Sequence, residues 1–210
     1  MQILIFGDSI AYGAWDREGG WVQRLRKFLD EKTLTKKDFY CLVYNLGVSG
    51  DTTDDLLERF EFETKQRIEE KEDAIIVFSI GGNDATFIDK EKQCQVLKEK
   101  FRENIQKLTA LADKYALKII FTGLLPADEL KTMPISWAPG AYYRNNDIIQ
   151  YDKIIKSFCQ ENNIFFIDVF NQFINLDYKN LLADGQHPNF AGHQKIFEII
   201  KEFLVKNKII

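Results

Sequence analysis

Near its start the chain reads Ile3-Leu4-Ile5-Phe6-Gly7-Asp8-Ser9-Ile10, an apolar run that leads directly into a Gly-Asp-Ser turn. Consecutive apolar residues followed by a glycine indicate a buried strand that ends at a turn. The hydroxyl of Ser9 is therefore expected at the carboxyl end of a strand, where open α/β sheets bind their ligands. Such a serine acts as a nucleophile only when a base and an orienting acid lie beside it.

Apolar strand patterns alternate with helical patterns along the whole chain. The strand-like runs are residues 3–6, 41–46, 74–80, 119–123 and 164–168. Between them, apolar residues recur about every 3.6 positions, as in Phe101, Ile105 and Leu108. Because the runs are apolar nearly throughout, we expect strands that are covered on both faces. The sequence predicts a three-layer α/β/α fold with a five-stranded parallel sheet, in one domain over residues 1–210.

Composition and charge exclude several classes of function. The 28 Lys and Arg against 32 Asp and Glu give a net charge of -4, and no basic stripe indicates a nucleic-acid partner. The three cysteines, Cys41, Cys94 and Cys159, are widely spaced and predict buried thiols rather than disulfides. No apolar run reaches the roughly 20 residues of a membrane span. We expect a cytoplasmic protein, and the sequence indicates no particular oligomeric state.

Residues suited to acyl transfer follow the predicted strands. Ser9 follows the first, Gly47 the second and Asn83 the third, and parallel strands bring these ends to one edge of the sheet. Ser9 offers a hydroxyl and a backbone N–H, Gly47 a backbone N–H that no Cβ obstructs, and Asn83 a side-chain amide. Asp184 and His187, three residues apart, supply the acid and the base. The sequence therefore predicts a nucleophile, a base, an orienting acid and an oxyanion hole.

The two histidines are expected to have different roles. His187 precedes Pro188, which disfavours helical backbone before it, so His187 is expected in an extended loop with its ring free to reach Ser9. Asn189 is a suitable N-cap for the last helix. His193 falls near the start of that helix and is expected to be structural.

Aromatic residues near the predicted edge are candidates for binding substrate. Residues 126–144 form an unusually long connection after the fourth strand, and such connections are often functional, although a packed surface excursion is the alternative. Trp137 and Tyr142 lie within it, and Trp15 and Trp21 follow Ser9. We expect these four side chains to shape the acyl or alcohol pocket.

Other polar residues have simpler interpretations. Asp8 and Asp84 are expected to brace their turns through backbone hydrogen bonds. The charged run over residues 69–72 is typical of a solvated helix end. Two histidines and dispersed cysteines give no recognisable metal-ligand spacing, so we expect no metal.

Four blocks of this chain resemble those of the GDSL-like SGNH hydrolases in order and spacing. They are Gly7-Asp8-Ser9-Ile10, Gly47, Gly81-Gly82-Asn83-Asp84 and Asp184-Gly185-Gln186-His187-Pro188. The resemblance spans nearly the whole chain. One departure is Ile10, where the family's name has Leu, an apolar exchange that leaves the chemistry untouched. The G-x-S-x-G elbow of α/β-hydrolases is absent.

The resemblance implies a flavodoxin-like sheet in the order 2-1-3-4-5. It also implies Ser9 as nucleophile, His187 as base, Asp184 as its partner, and an oxyanion hole from Ser9, Gly47 and Asn83. The expected reaction is hydrolysis of a small-molecule carboxylic ester, or a thioester, through a Ser9 acyl-enzyme without a cofactor. Two alternatives stay open: an acyltransferase that uses the same site, and a catalytically silent α/β binding module.

Overall fold

The computed structural model describes residues 1–68 and 74–210. The strands are β1 Gln2–Gly7, β2 Leu42–Gly47, β3 Ala74–Ser79, β4 Phe87–Ile88, β5 Gln93–Cys94, β6 Lys118–Thr122, β7 Ala141–Tyr142 and β8 Phe165–Ile167. The helices are α1 Ser9–Tyr12, α2 Gly20–Thr35, α3 Thr53–Lys65, α4 Lys98–Ala112, α5 Glu129–Thr132, α6 Asn145–Glu161, α7 Val169–Ile174 and α8 Phe190–Lys206. A 3-10 helix covers Tyr178–Leu181.

The central sheet has five parallel strands in the order β2-β1-β3-β6-β8. In terms of its five strands this is the order 2-1-3-4-5, so the predicted α/β fold is confirmed. Gly7, at the end of β1, pairs with Gly47 of β2 and with Ser79 of β3. The carboxyl ends of the three strands therefore lie side by side, and the residues that follow them meet at one edge of the sheet.

Helices cover both faces of the sheet, as the apolar strands predict. In β1, Ile3 and Ile5 pack into the core cluster that contains residues of α2 and α8, whereas Leu4 and Phe6 pack into the cluster with α3, α4 and α6. Alternate side chains of a strand point to opposite faces, and every residue of β1 is buried. Burial on both faces holds the end of β1 rigidly and so positions the serine turn.

The connection over residues 126–144 is more ordered than the sequence indicates. It contains α5, a cis peptide bond between Met133 and Pro134, and β7, which pairs antiparallel with β4. With β5 these strands form a second, three-stranded sheet that the sequence analysis missed. Two-residue strands are too short to show a period in the sequence. The connection also buries Tyr143 in the core.

Two observations concern the cysteines and the long helices, and one prediction lies beyond the residues that the structure describes. Cys41, Cys94 and Cys159 are free thiols, of which Cys41 and Cys159 are buried and Cys94 is half-buried. Within the described ranges, no helix has the length and apolar character to cross a bilayer. The charged run over residues 69–72 lies outside the described residues.

Candidate active site

Ser9 is positioned by the sharp junction between β1 and α1. Asp8 is the N-cap of α1, and its Oδ1 accepts the N–H of Ile10 at 2.9 Å. The helix ends after one turn at Gly13, which has φ 93°. Ser9 is the first helical residue, so its N–H has no partner within α1. The junction places the Ser9 side chain at the sheet edge, almost fully buried.

His187 and Asp184 meet Ser9 at this edge in a connected arrangement. Nε2 of His187 lies 2.9 Å from Oγ of Ser9, and Nδ1 of His187 lies 2.7 Å from Oδ2 of Asp184. The carboxylate accepts a hydrogen bond from Nδ1–H, so this pairing leaves Nε2 of the neutral imidazole unprotonated and facing the hydroxyl. The geometry allows His187 to take the Ser9 proton while Asp184 orients the ring.

The turn that carries Asp184 and His187 depends on Gly185. Gly185 has φ 97°, and a Cβ there would lie 2.7 Å from Cβ of Lys131. The N–H of Ala183 donates to the carbonyl of His187 at 2.8 Å and closes the turn. His187 lies in a loop, and Asn189 caps α8 by accepting the N–H of Gly192, as the sequence predicts.

The Asp184 carboxylate accepts four hydrogen bonds. Oδ1 accepts the backbone N–H groups of Gln186 at 3.0 Å and His187 at 2.8 Å. Oδ2 accepts from His187 Nδ1 and from the indole N–H of Trp15, each at 2.7 Å. Although burial acts to raise the pKa of Asp184, the hydrogen bonds from His187 and Gln186 lower it to about 2. Asp184 is therefore charged at neutral pH.

Asn83 and the loop after β2 form the other side of the site. Nδ2 of Asn83 donates to the carbonyl of Asp51 at 2.8 Å, which leaves the second amide hydrogen available. The N–H of Gly47 donates to Oδ1 of Asn45 at 3.0 Å. Asn45, to which no sequence pattern pointed, also donates its side-chain amide N–H to the carbonyl of Ala11 at 2.9 Å.

Gly50, in the same loop, has a backbone N–H that is open to a ligand. It has φ 93°, and open space lies where its Cβ would be. Its N–H donates to no protein atom in the part of the chain that the structure describes. The Asn83 bond to the adjacent Asp51 holds this loop beside the Asn83 amide. The signal available in the sequence was the second glycine of Gly47-Val48-Ser49-Gly50.

Asp8 and Asp84 are buried carboxyl groups beside the site. Asp8 braces its own turn, as expected, whereas Asp84 bonds to the first residue of α3. Asp84 accepts the N–H of Thr53 at 3.0 Å and also the Thr53 hydroxyl at 2.5 Å. Burial raises the pKa of Asp84 to about 7, against these hydrogen bonds. Burial likewise raises the pKa of Asp8 to about 6, although the Ile10 N–H acts to lower it.

A groove of about 740 Å³ lies beside His187. Trp15 and Trp137 line it, and both are largely exposed. Their rings lie 5.6 Å and 6.0 Å from the His187 ring, centroid to centroid. The structure thus brings two of the four predicted aromatic residues to the site.

The other two aromatic predictions need correction. Trp21 is fully buried in the core between the sheet and α8, because it faces inward from the first turn of α2. Tyr142 is not among the residues that line the groove: it lies on β7, where the centroid of its ring is 6.3 Å from that of Phe87. His193 is also fully buried, and its Nε2 lies 3.2 Å from the carbonyl of Ala14, in keeping with a structural role.

Over residues 1–68 and 74–210, no three His, Cys, Asp or Glu side chains are grouped in a way that could hold a metal ion.

The sequence profile of the GDSL-like lipase/acylhydrolase family matches residues 5–195. The chain belongs to this family. All the site residues described above fall within the matched range.

One curated protein of similar sequence is a multidomain esterase from Ruminococcus flavefaciens. It is 28% identical to this chain over 229 aligned positions, which cover 93% of this chain and 27% of that protein. The chain thus spans about a quarter of the length of this curated relative.

Solved structures of GDSL-family and related enzymes share the fold. The lipase/acylhydrolase from Enterococcus faecalis superposes with a TM-score of 0.73 at 22% identity, covering 97% of this chain and 94% of that one. Axe2, an acetylxylan esterase from Geobacillus stearothermophilus, gives 0.72 at 22% identity, with 97% and 92% covered. A lipolytic G-D-S-L protein from Veillonella parvula gives 0.72 at 18% identity, with 96% and 97% covered.

Proposed function

We propose that this chain is a serine esterase or acylhydrolase in which Ser9 is the nucleophile, His187 the general base and Asp184 the group that orients the base. The observation that carries the proposal is the pair of contacts at His187, to Ser9 Oγ at 2.9 Å and to Asp184 Oδ2 at 2.7 Å. Membership of a family of lipases and acylhydrolases supports ester chemistry at this site.

The reaction proceeds in two halves. Oγ of Ser9 attacks the ester carbonyl carbon as its proton passes to Nε2 of His187, and the carbonyl electrons move onto the oxygen. When the tetrahedral intermediate collapses, His187 gives the proton to the leaving alcohol and the acyl group stays on Ser9. Water then attacks the acyl-enzyme with His187 again as base, which releases the acid and restores Ser9.

The developing oxyanion needs donors at the sheet edge. The N–H of Ser9 and the amide of Asn83 are two of them, because the first is free of helical partners and the second keeps one hydrogen available. The third is the backbone N–H of Gly47 or of Gly50. Gly47 is the candidate predicted from the sequence, but its N–H must first leave Asn45. Gly50, with an unoccupied N–H beside Asn83, is the better placed of the two.

The groove favours a polar alcohol portion in the substrate. Polar and charged side chains, including Arg17, Gln23 and Asn45, line it together with the exposed rings of Trp15 and Trp137. Aromatic faces among convergent polar groups suit a carbohydrate. The shared fold with Axe2, an acetylxylan esterase, makes acetylated xylo-oligosaccharides the first substrates to test. Thioesters, and transfer of the acyl group to an alcohol, remain to be compared by product analysis.

The test is labelling with a fluorophosphonate probe followed by peptide mapping. The wild-type protein should be modified at Ser9, and Ser9→Ala should abolish labelling while the protein stays folded by circular dichroism. Labelling at another residue, or none on folded wild-type protein, contradicts the proposal and favours a silent binding module. A matched control is Ser49→Ala, which removes a nearby groove hydroxyl and should leave labelling of Ser9 intact.

A further inference from the structure

Trp15 donates a hydrogen bond to the acid of the site from the other end of the chain. Its indole N–H lies 2.7 Å from Oδ2 of Asp184, the same oxygen that faces Nδ1 of His187. The other three donors to this carboxylate come from Gln186 and His187, within the same turn. Trp15 is thus the only described residue outside that turn that donates to Asp184.

The backbone of Trp15 has φ 64°, a left-handed conformation that residues other than glycine rarely adopt. Such a conformation persists where the surrounding structure enforces it, and it is often found at functional sites. Here the neighbouring Ala14 carbonyl lies 3.2 Å from Nε2 of buried His193. On the other side, Oδ2 of Asp16 accepts the N–H of Gly20 at 3.0 Å and pairs with Arg24.

The indole is placed to act on the Asp184–His187 pair in two ways. Its ring stands edge-on to the imidazole, with an interplanar angle of 82° and 5.6 Å between ring centroids. Its N–H satisfies the last acceptor position of the carboxylate, which has about four lone-pair sites. Trp137 lies at a similar distance from the imidazole, but within the described residues its indole makes no hydrogen bond to Ser9, His187 or Asp184.

We propose that Trp15 is a positioning residue that holds Oδ2 of Asp184 in line with Nδ1 of His187 and shares the negative charge of that oxygen. The inference rests on the proposed function, because Trp15 would act through Asp184 on His187, the base of that proposal. Without the indole N–H, the Asp184 carboxylate can rotate or bind water in its place. Its negative charge then interacts more strongly with the His187 imidazole. The base is then less well oriented, and its protonated form is more strongly stabilised.

The charged and titratable groups that act on His187 come from three elements. Asp184 lies in its own turn, Asp8 precedes Ser9 at the end of β1, and His193 lies on α8. Replacement of the Trp15 N–H alters only the Asp184 interaction, so a changed pH profile would report on that pair.

The kinetic test replaces Trp15 with β-(3-benzothienyl)alanine, in which sulfur takes the place of the N–H, and separately with Phe. We expect kcat to fall about tenfold in both variants, as for loss of a hydrogen bond that orients a reacting group. KM should change little in the benzothienyl variant, which keeps the shape of the ring that lines the groove. The fall of kcat/KM on the acid side should move to higher pH, because the unshared carboxylate charge favours the protonated base. Trp137→Phe, the matched control, should affect KM without moving the pH profile. Wild-type kcat and pH profile in the benzothienyl variant would overturn the proposal.

A second test needs no catalysis and separates this inference from the proposed function. The protein has three tryptophans, whose indole N–H signals can be assigned by NMR from single Trp→Phe variants. Asp184→Ala should shift the Trp15 signal and speed its exchange with solvent, whereas the Trp21 signal should stay in place. An unmoved Trp15 signal would overturn the inference even if Ser9 is labelled. A moved signal would support the hydrogen bond even if the esterase assignment fails.

Discussion

Oγ of Ser9 lies 2.9 Å from Nε2 of His187, although 178 positions separate the two residues in the chain. Ser9 follows β1, the second strand in the order of the sheet. His187 lies in the turn before α8, the last helix. Both side chains are nearly fully buried, so the contact forms in a partly dehydrated setting where hydrogen bonds are strengthened.

Removal of either member of this pair is expected to abolish most of the activity. Ser9→Ala and His187→Ala should each lower kcat on the order of 10⁶-fold, and Asp184→Ala by less, roughly 10⁴-fold. Because Ser9 and His187 act as one unit, the double variant should be no slower than either single variant in steady-state ester hydrolysis. Losses that multiply, or an active His187→Ala protein, would count against the assignment and direct attention to His193.

Asn83→Ala is expected to lower kcat by about 10²–10³-fold with KM nearly unchanged, since an oxyanion donor acts mainly in the transition state. The rate of fluorophosphonate labelling should fall in parallel, because the attack on phosphorus places charge on the same oxygen. A change in kcat of less than about threefold would remove Asn83 from the oxyanion hole.

The third oxyanion donor can be identified by replacing single amides with esters. A glycolic acid residue at position 50 removes the N–H of Gly50 and keeps the rest of the loop. We expect a loss in kcat of about 10²-fold at position 50 and a much smaller one at position 47, where the N–H donates to Asn45. The opposite order would return the role to Gly47.

Trp137→Ala is expected to change substrate preference rather than the chemical step. Its exposed ring lines the groove beside His187, so its loss should raise KM for acetylated xylo-oligosaccharides several-fold, on the order of one stacking contact. Hydrolysis of p-nitrophenyl acetate, which reaches the site without filling the groove, should keep its kcat. An equal effect on both substrates would show that Trp137 does not select the alcohol portion. Single substitution is preferable to deleting residues 126–144, because that segment also buries Tyr143 and contributes β7.

Asp84 should make the protein less stable as pH rises. Burial raises its pKa from 3.8 to about 7, so the folded state holds a proton that the unfolded state has already released, and the free energy of unfolding falls between about pH 4 and pH 7. Asp84→Asn should flatten this slope in urea unfolding at pH 4.5, 6 and 7.5, with the share due to Asp8 remaining.

The matched control is Asp55→Asn. Hydrogen bonds from Thr52 lower the pKa of Asp55 from its ordinary value of 3.8, so its stabilising contribution is complete above about pH 4 and is lost only as pH falls further. Its replacement should therefore leave the slope between pH 4.5 and 7.5 unchanged. An Asp84→Asn protein with the wild-type slope would show that Asp84 is ionised in the folded state.

Much of the fold could be predicted because its signals are local. The apolar runs mark the five strands of the sheet, and the helical period marks the long helices between them. The short strands β4, β5 and β7 were missed because a pair of residues has no period, and their pairing depends on long-range contacts. Trp21 was misplaced because its sequence position, close to Ser9, does not tell which face of α2 it occupies.

The amino-acid sequence by itself determined the α/β class, the strand ends that carry Ser9 and Asn83, and the loop that frees His187 from the last helix. These follow from apolar runs, glycine turns and a proline, each of which acts on the backbone within a few residues. Only the tertiary structure decided that Trp15 reaches Asp184, that Asn45 occupies the N–H of Gly47, and that Gly50 is open. These contacts join residues whose directions are set by packing across the whole sheet, and no local pattern encodes the direction of a side chain.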